Sequence, residues 1–259
     1  MKKIGRDINL TTDDIQYIKK LIQKNPSISF HLPEFRRYFT SKRLNKVSKN
    51  VEVWNGDTDQ GVAPGTVKHN MTELTTRGLA SVQRTTRLLG PLSSLSPIYE
   101  KAGKLKVLTI GPRTEMEIFH LIAIGFSPEN IYGLDLISYS DYITAADMHK
   151  MPYKDGVFDV VISSWTIGYS SNPQLVIDEM CRVTKKNGLL AVGYTHDHNI
   201  ETYVDDNKEP NHIKGCSFKT GMELMSYFKQ YKTKIHYLQE PDDASADKMM
   251  LILRVFGRK

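Results

Sequence analysis

Apolar runs of strand length alternate with segments of helical periodicity through the second half of the chain, and this alternation constrains the fold most. The short apolar runs occupy residues 106–111, 131–136, 158–163 and 189–194. Segments with apolar residues at helical spacing lie between them, at 115–124 and 173–184. Strands that alternate with helices are typical of a parallel sheet with helices on both faces. We therefore predict an α/β fold for this part of the chain.

Two further apolar runs, at 234–238 and 249–255, follow with an acidic turn and no helix between them. Strands joined directly by a turn pair antiparallel, so these runs predict an antiparallel hairpin at one edge of the sheet. The whole pattern predicts a Rossmann-like, doubly wound and mostly parallel sheet between residues 101 and 259.

The first hundred residues have a different pattern, which predicts a mainly helical region. Apolar residues recur at helical spacing from residue 15 to 22, behind a capping-box sequence that begins at Thr11. Further helices are predicted from Pro33 onward and over 71–89, and a turn-rich loop lies between them at 55–65.

Positive charge is concentrated at the start of the chain. Residues 1–50 hold twelve Lys and Arg against four Asp and Glu, a net charge of +8, whereas the whole chain carries +6. This asymmetry indicates either an anionic partner, such as a phosphorylated substrate, nucleic acid or a membrane surface, or a solvated basic face of a helix pair. We predict an N-terminal helical cap at 1–100 that helps to select a substrate, and an α/β domain at 101–259.

Other features of the sequence bear on the cellular compartment. No secretory signal is recognised, and no apolar run approaches the ~18 residues that a membrane-spanning helix needs. Cys181 and Cys216 lack the spacing of metal ligands, and we interpret them as reduced thiols. A cytoplasmic location is the resulting expectation.

Gly111 and Asp135 end the first two predicted strands, at the edge of the sheet where ligands of such folds bind. The free N–H groups of the helix that follows Gly111 can hold an anionic group. Asp135 comes 24 residues after Gly111, close to the ~20-residue spacing at which an acid accepts hydrogen bonds from ribose hydroxyls. The two residues therefore predict a nucleoside site, although a simple turn and a cap would also use a glycine and an aspartate.

A longer pattern follows in the chain. It reads Asp-Met-His-Lys-Met-Pro-Tyr at 147–153, Asp-Gly-Val-Phe-Asp at 155–159 and Glu-Met-Cys-Arg-Val-Thr-Lys-Lys-Asn-Gly at 179–188. This combination resembles the class I S-adenosylmethionine-dependent methyltransferases, with a methyltransferase type 11-like domain, over residues 105–195. The resemblance implies a seven-stranded sheet, S-adenosyl-L-methionine as cofactor and methyl transfer as the reaction.

The resemblance also implies a role for each residue that matches the motifs of the family. The methionine part of the cofactor would lie against Gly111 and the ribose would bind to Asp135. Leu136 would pack beside the adenine, and Met148 would cover the ring. Asp147 would accept a hydrogen bond from the adenine amino group.

The strand at 158–163 and the first motif complete the implied site. Ser164 and Trp165 would border the transferring methyl group and the acceptor. The family has an acid two residues before the first glycine and further glycines at alternate positions, but here these positions hold Thr109, Arg113 and Glu115. Either Arg113 pairs with the cofactor's carboxylate and Glu115 with its ammonium group, or both side chains point to solvent from a helix start.

A base for the acceptor's proton is predicted in the segment after the strand at 189–194. His196 could take the proton with Asp197 orienting its ring, because histidine titrates near neutral pH. The same His-Asp-His sequence could instead bind a divalent metal or form a polar surface loop. Tyr169 is interpreted either as an acceptor contact or as a packed aromatic residue, and His149 as structural.

We therefore predict a methyltransferase that acts on a small-molecule or glycan acceptor, at oxygen rather than nitrogen. The basic residues at 1–50 favour an acceptor with a phosphate or carboxylate group. Two alternatives stay open. One is a nucleic-acid methyltransferase that binds RNA or DNA with the basic region. The sequence at 164–167 is Ser-Trp-Thr-Ile rather than an Asn/Asp-Pro-Pro-Tyr motif, which argues against methylation of the amino groups of bases. The other is a non-catalytic partner protein that keeps the fold.

Overall fold

A mixed β-sheet forms the centre of the molecule in the computed structural model, which describes residues 9–47, 50–56, 61–63, 65–74, 83–196, 215–240 and 247–259. The strands of this sheet are β2 (Val107–Ile110), β3 (Ile131–Asp135), β5 (Ile143–Ala145), β6 (Phe158–Ser164), β7 (Thr184–His196), β8 (Tyr231–Gln239) and β9 (Asp247–Arg258). A separate small sheet pairs β1 (Glu52–Val53) with β4 (Ile137–Ser138).

The seven strands lie in the order β5-β3-β2-β6-β7-β9-β8. The pairs from β5 to β7 are parallel, whereas β9 runs antiparallel to both β7 and β8. This topology confirms the predicted Rossmann-like, mostly parallel seven-stranded sheet with an antiparallel C-terminal hairpin. Strand order reverses between β2 and β6, so the sheet has its ligand-binding edge at the carboxyl ends of these strands.

Helices cover both faces of the sheet. On one face lie α4 (Gln83–Ser93), α5 (Ile98–Lys101) and α6 (Glu115–Ala123), and on the other α7 (Pro173–Val183) and α8 (Gly221–Ser226). Side chains alternate between the two cores because successive residues of a strand point to opposite faces. In β6, for example, Val160 and Ile162 belong to one core and Val161 to the other.

The helical region before residue 100 packs against the first helix of the α/β domain. Besides α4, which lies on the sheet, the described part of this region has the helices α1 (Thr12–Lys24), α2 (Pro33–Val47) and α3 (Thr66–Thr72). Phe30 stacks on Phe119 of α6 with ring centroids 4.6 Å apart, and Phe39 meets the same ring edge-on at 5.2 Å. These aromatic contacts hold α2 against α6, while the division of the chain near residue 100 stays a prediction.

The helix predicted over 71–89 differs from the structure at both ends. The first helix of this stretch, α3, already begins at Thr66 and ends at Thr72. The second, α4, begins at Gln83 and ends at Ser93, and residues 75–82 lie outside the described ranges. The predicted end at residue 89, just before Gly90 and Pro91, is wrong, because α4 continues through Pro91 to Ser93. Burial of Leu88, Leu89 and Leu92 against the sheet outweighs the hydrogen bond that proline cannot donate.

None of the helices within the described ranges has the length and apolar character needed to cross a bilayer.

Candidate functional site

A cleft of about 470 Å³ opens at the carboxyl edge of the sheet, beside the point where strand order reverses. Six of the predicted site residues line it together, namely Gly111, Arg113, Asp135, Leu136, Asp147 and Met148. Lining residues that the sequence patterns did not single out are Val62, Thr66, Asn70, Ile110, Leu134, Ala146 and Thr166.

Gly111 makes the turn after β2 that the sequence predicts. Its φ of +71° lies in the left-handed region, and its N–H donates to the Leu134 carbonyl at 2.7 Å. A Cβ at this position would overlap the side chain of Thr166, whose hydroxyl donates to the Ile110 carbonyl at 2.9 Å. The turn therefore requires glycine, and its close partner is the loop after β6.

Asp135 ends β3 with only 4% of its surface exposed. Its Oδ2 accepts from the Arg113 N–H at 2.8 Å, and its Oδ1 accepts from Asn70 Nδ2 at 3.1 Å and from the Ile137 N–H at 3.4 Å. Burial raises the pKa of Asp135, and the hydrogen bond from the Arg113 N–H opposes that rise. The carboxylate thus accepts hydrogen bonds from two backbone N–H groups and from the Asn70 side chain, and ribose hydroxyls would take the place of the Asn70 donor.

Asp147 lines the same cleft, and only one of its two carboxylate oxygens has hydrogen-bond partners among the described residues. Its Oδ1 accepts from the His149 N–H at 2.9 Å and lies 2.6 Å from His149 Nδ1. Within the described part of the chain, its buried Oδ2 has no hydrogen-bond partner. A buried acceptor of this kind requires a donor, and the amino group of adenine is one. The residues present therefore fit the adenosyl part of the implied cofactor.

Arg113 carries its guanidinium along the cleft on a backbone with φ of +54°. Nη2 donates to Asn70 Oδ1 at 3.1 Å, and Nη1 lies 3.7 Å from Glu73 Oε2. Nε is buried and has no partner among the described residues. The side chain is only 12% exposed, so the alternative in which it points to solvent is wrong.

Glu115 lies outside the lining of the cleft and is fully buried at the start of α6. Its carboxylate accepts from Arg43 of α2 at 2.6 and 2.7 Å and from the Ser140 hydroxyl at 2.5 Å. The solvent-exposed alternative is therefore wrong for Glu115 as well. Its predicted cofactor contact stays a prediction, with Arg43 as the partner that the structure shows.

A different acid, Glu117, stands behind the first turn. Its carboxylate accepts from the hydroxyl of Thr109, the residue at the family's acid position, and from Ser164 Oγ at 3.2 Å. Glu117 is 2% exposed. The first motif has threonine instead of an acid at position 109, and Glu117 of α6 places a buried carboxylate next to it.

Ser164 and Trp165 lie behind the lining rather than in it. The Ser164 side chain is buried on Glu117, and the Trp165 ring covers Gly193 of β7, where a Cβ would lie 2.8 Å from the indole. Thr166, the next residue, lines the cleft in their place. The predicted contacts of Ser164 and Trp165 with the methyl group and acceptor stay predictions.

The predicted base is only partly covered by the structure. His196 is the last residue of β7, and Asp197 lies outside the described residues. Tyr169 lines the cleft, and its hydroxyl lies 3.2 Å from Nε2 of His69 on α3. This pair joins residues 100 positions apart, which no local sequence pattern could indicate.

Comparison with known proteins gives a family and a relative. A family model described as a methyltransferase domain matches residues 111–192. The malonyl-[acyl-carrier protein] O-methyltransferase of Buchnera aphidicola subsp. Baizongia pistaciae is 30% identical over 69 residues, which are 27% of this chain and 28% of that protein. The match thus spans little more than a quarter of that relative's length.

Solved structures with the same fold also exist. A chain in the complex between the Haloferax volcanii Trm112 methyltransferase activator and a protein described as a methyltransferase has a TM-score of 0.52 and 13% identity, with 73% of this chain and 97% of that chain covered. An S-adenosylmethionine-dependent methyltransferase of Thermotoga maritima has a TM-score of 0.43 and 16% identity, with 73% and 99% covered. The first of these likenesses shows a shared fold.

Proposed function

We propose, on the premise that this chain carries a class I S-adenosylmethionine-dependent methyltransferase domain, that it methylates a hydroxyl oxygen of a small-molecule or sugar-type acceptor. The observation that carries the proposal is the single cleft into which Asp135, Asp147 and Arg113 all face. Two carboxylates and a guanidinium at the carboxyl edge of such a sheet match the polar groups of the cofactor.

Each of these side chains has a complementary group on the cofactor. Asp135 would accept hydrogen bonds from the ribose hydroxyls, and Asp147 Oδ2 from the adenine amino group. Arg113 would pair with the carboxylate of the methionine part, which would satisfy its unpartnered Nε. Gly111 would let the backbone approach the cofactor between these groups. These assignments account for the two buried polar atoms that lack partners at the cleft.

When bound, S-adenosylmethionine supplies a methyl group that its sulfonium already activates. The residues around the cleft then have to align the acceptor with that methyl group, exclude water and take the hydroxyl proton. Tyr169 lines the cleft and its hydroxyl lies 3.2 Å from His69 Nε2, so the two would take up and pass on that proton. His196 with Asp197 stays the alternative base that the sequence predicts.

The acceptor proposal rests on the N-terminal region. Val62, Thr66 and Asn70 reach the cleft from that region, which supports its role as a cap that helps to select the acceptor. The net charge of +8 over residues 1–50 favours an anionic acceptor with phosphate or carboxylate. The name of the Buchnera relative, an O-methyltransferase of malonyl-[acyl-carrier protein], supports oxygen as the methylated atom. We infer a cytoplasmic location from the small acceptor and the free thiols.

Two measurements test the proposal. Titration calorimetry with S-adenosylmethionine is expected to show binding, and the absence of binding at high micromolar concentration would overturn it. The protein is then incubated with methyl-labelled cofactor and fractionated host extract, in which a small-molecule fraction is expected to take up the label. Labelled RNA or DNA, with binding that weakens steeply with salt, would support the nucleic-acid alternative. Cofactor binding without any labelled fraction would support the non-catalytic one.

A further inference from the structure

A chain of buried hydrogen bonds leads from Asn172, the N-cap residue of α7, to the carboxylate of Asp147. The Asn172 N–H donates to Ser170 Oγ at 2.9 Å, and Ser170 Oγ lies 2.7 Å from His149 Nε2. On the other side of the ring, His149 Nδ1 lies 2.6 Å from Asp147 Oδ1. Asp147, His149 and Ser170 are 3%, 2% and 0% exposed, so water does not compete for these contacts.

The direction of these hydrogen bonds follows from their donors. A backbone N–H can only donate, so Ser170 Oγ accepts from Asn172, and the same hydroxyl shares a hydrogen bond with His149 Nε2. A carboxylate oxygen accepts, so His149 Nδ1 is the donor to Asp147 Oδ1. The His149 N–H also donates to Oδ1. Two donors thus hold Oδ1 of Asp147, while the buried Oδ2 accepts no hydrogen bond from the described residues.

The N-terminal region closes over this chain of hydrogen bonds. Val62 forms a bridge with Ser170, and the Gly61 carbonyl accepts from the Ser171 N–H at 2.9 Å and from its hydroxyl at 3.1 Å. A Cβ on Gly61 would lie 2.8 Å from His149 Nε2. The glycine therefore lets the backbone lie directly against the ring and seal it from solvent.

We propose that His149 is a positioning residue that fixes the Asp147 carboxylate, so that the site selects purines with a 6-amino group over purines with a 6-oxo group. This inference rests on the proposed cofactor site. A carboxylate that is held through Oδ1 can only accept at Oδ2, and a 6-oxo group offers another acceptor. The oxygens would repel, and both would lose hydrogen bonds that water had made.

The size of the selection follows from one hydrogen bond to a charged group. Such a bond is worth about 1.5–3 kcal/mol, which corresponds to a preference of about tenfold to 100-fold in affinity. Without the His149 imidazole, the backbone N–H of residue 149 is the one remaining donor of the two to Oδ1, and the carboxylate is free to rotate about it. The preference is then expected to fall to within about threefold of unity, since the remaining contacts do not distinguish the two bases.

The test uses titration calorimetry of the full chain with S-adenosylhomocysteine and S-inosylhomocysteine. We expect the unaltered protein to prefer the adenine compound by about tenfold to 100-fold and His149→Ala to lose that preference. His149→Asn, whose amide can donate near the position of Nδ1, is expected to keep most of it. His120→Ala is the matched control, because His120 lies on α6 outside the cleft lining, and it is expected to keep both affinities.

The outcomes are distinct. If His149→Ala keeps the full preference, or if the unaltered protein binds both compounds equally, the positioning role is overturned while the cofactor site stands. If the unaltered protein binds neither compound, the proposed function fails and this inference with it. Should His149→Ala not fold, as judged by circular dichroism, Ser170→Ala replaces it, because it leaves the imidazole in place and removes the hydroxyl that contacts Nε2 and accepts from the Asn172 N–H. Ser170→Ala is expected to lower the preference at least threefold, and an unchanged preference would refute the role of the hydrogen bonds that join Ser170, His149 and Asp147.

Discussion

Asp135 is the residue on which cofactor affinity is expected to depend most. Asp135→Asn keeps the shape of the side chain but replaces a charged acceptor with an amide that both donates and accepts. Each hydrogen bond to a charged group is worth about 1.5–3 kcal/mol, so the affinity for S-adenosylhomocysteine should fall at least about tenfold. Titration calorimetry measures this, with Asp141→Asn on the neighbouring loop as a control. Unchanged affinity would remove Asp135 from the site.

The same substitution should affect stability in the opposite direction at neutral pH. Burial raises the pKa of Asp135 in the folded chain above its unfolded value, so ionisation of this carboxyl costs folding free energy. The cost is fully present above the folded-state pKa and disappears as the pH falls toward the unfolded-state value. We expect Asp135→Asn to be at least as stable as the unaltered protein at pH 7, and this advantage to shrink in acid.

Urea unfolding of both proteins at several pH values measures that difference directly. A variant that is clearly less stable at pH 7 would show that the hydrogen bonds from Asn70 and the Arg113 N–H outweigh the burial of the charge. The expected combination of weaker binding and undiminished stability is characteristic of a residue kept for its function.

Helix α3 contributes to the site through Asn70, which it places against Asp135, the acid proposed to bind ribose. The Asn70 amide donates to Asp135 Oδ1 at 3.1 Å and accepts from Arg113 Nη2 at 3.1 Å. It thus occupies both a carboxylate and a guanidinium that the cofactor would need. We infer that Asn70 must leave these partners when the cofactor binds, and that its departure lowers the net affinity.

Asn70→Ala is therefore expected to tighten the binding of S-adenosylhomocysteine. A single hydrogen bond contributes about 0.5–1.5 kcal/mol net, so the gain should be about twofold to tenfold. Calorimetry measures the affinity, and Asn130→Ala serves as the control because Asn130 bonds to the Gly103 carbonyl away from the cleft. Weaker binding in Asn70→Ala would mean that Asn70 stays in place and contacts the cofactor itself.

The elements that the sequence predicts well are those with a strong local pattern. The apolar runs predict β2, β3, β6, β7, β8 and β9, and with them the edge where Gly111 and Asp135 lie, whereas the short strands β4 and β5 have no such run. The position of α3 could not be predicted, because it depends on a contact between Asn70 and Asp135, 65 residues apart. Glu115 illustrates the same limit, since its position suggested a cofactor contact but it pairs with Arg43 from 72 residues away. Local patterns thus locate the strand ends but not the side chains that come from distant helices.

At the scale of the whole molecule, contacts on α6 and at the cleft join the N-terminal region to the α/β domain. The phenyl rings of Phe30 and Phe39 pack on Phe119, the Arg43 guanidinium pairs with Glu115, and α3 covers the cleft. The first two contacts meet α6, whose first turn also places Glu117 behind Thr109. The position of the cap and the shape of the cofactor cleft therefore depend on the same helix.

The Arg43–Glu115 pair is expected to contribute measurably to the stability of this arrangement. Glu115 is fully buried whereas Arg43 is 44% exposed, so the pair lies between a surface and a buried salt bridge. Arg43→Ala leaves a buried carboxylate without its cation, and we expect a loss of about 1–3 kcal/mol in the free energy of unfolding. Lys42→Ala, an exposed neighbour on α2, should change it by less than about 0.5 kcal/mol.

A double-mutant cycle separates the pair from the loss of packing. Glu115→Gln removes the charge that Arg43→Ala strands, so the double variant should be more stable than the sum of the two single losses predicts. Urea unfolding measures all four proteins, and calorimetry with S-adenosylhomocysteine tests the link to the cleft. Because Glu115 lies outside the lining but at the start of the helix that supports it, we expect Arg43→Ala to weaken binding only through lost stability. A large loss of affinity in a fully folded Arg43→Ala would instead indicate that Glu115, once released from Arg43, reaches the cofactor.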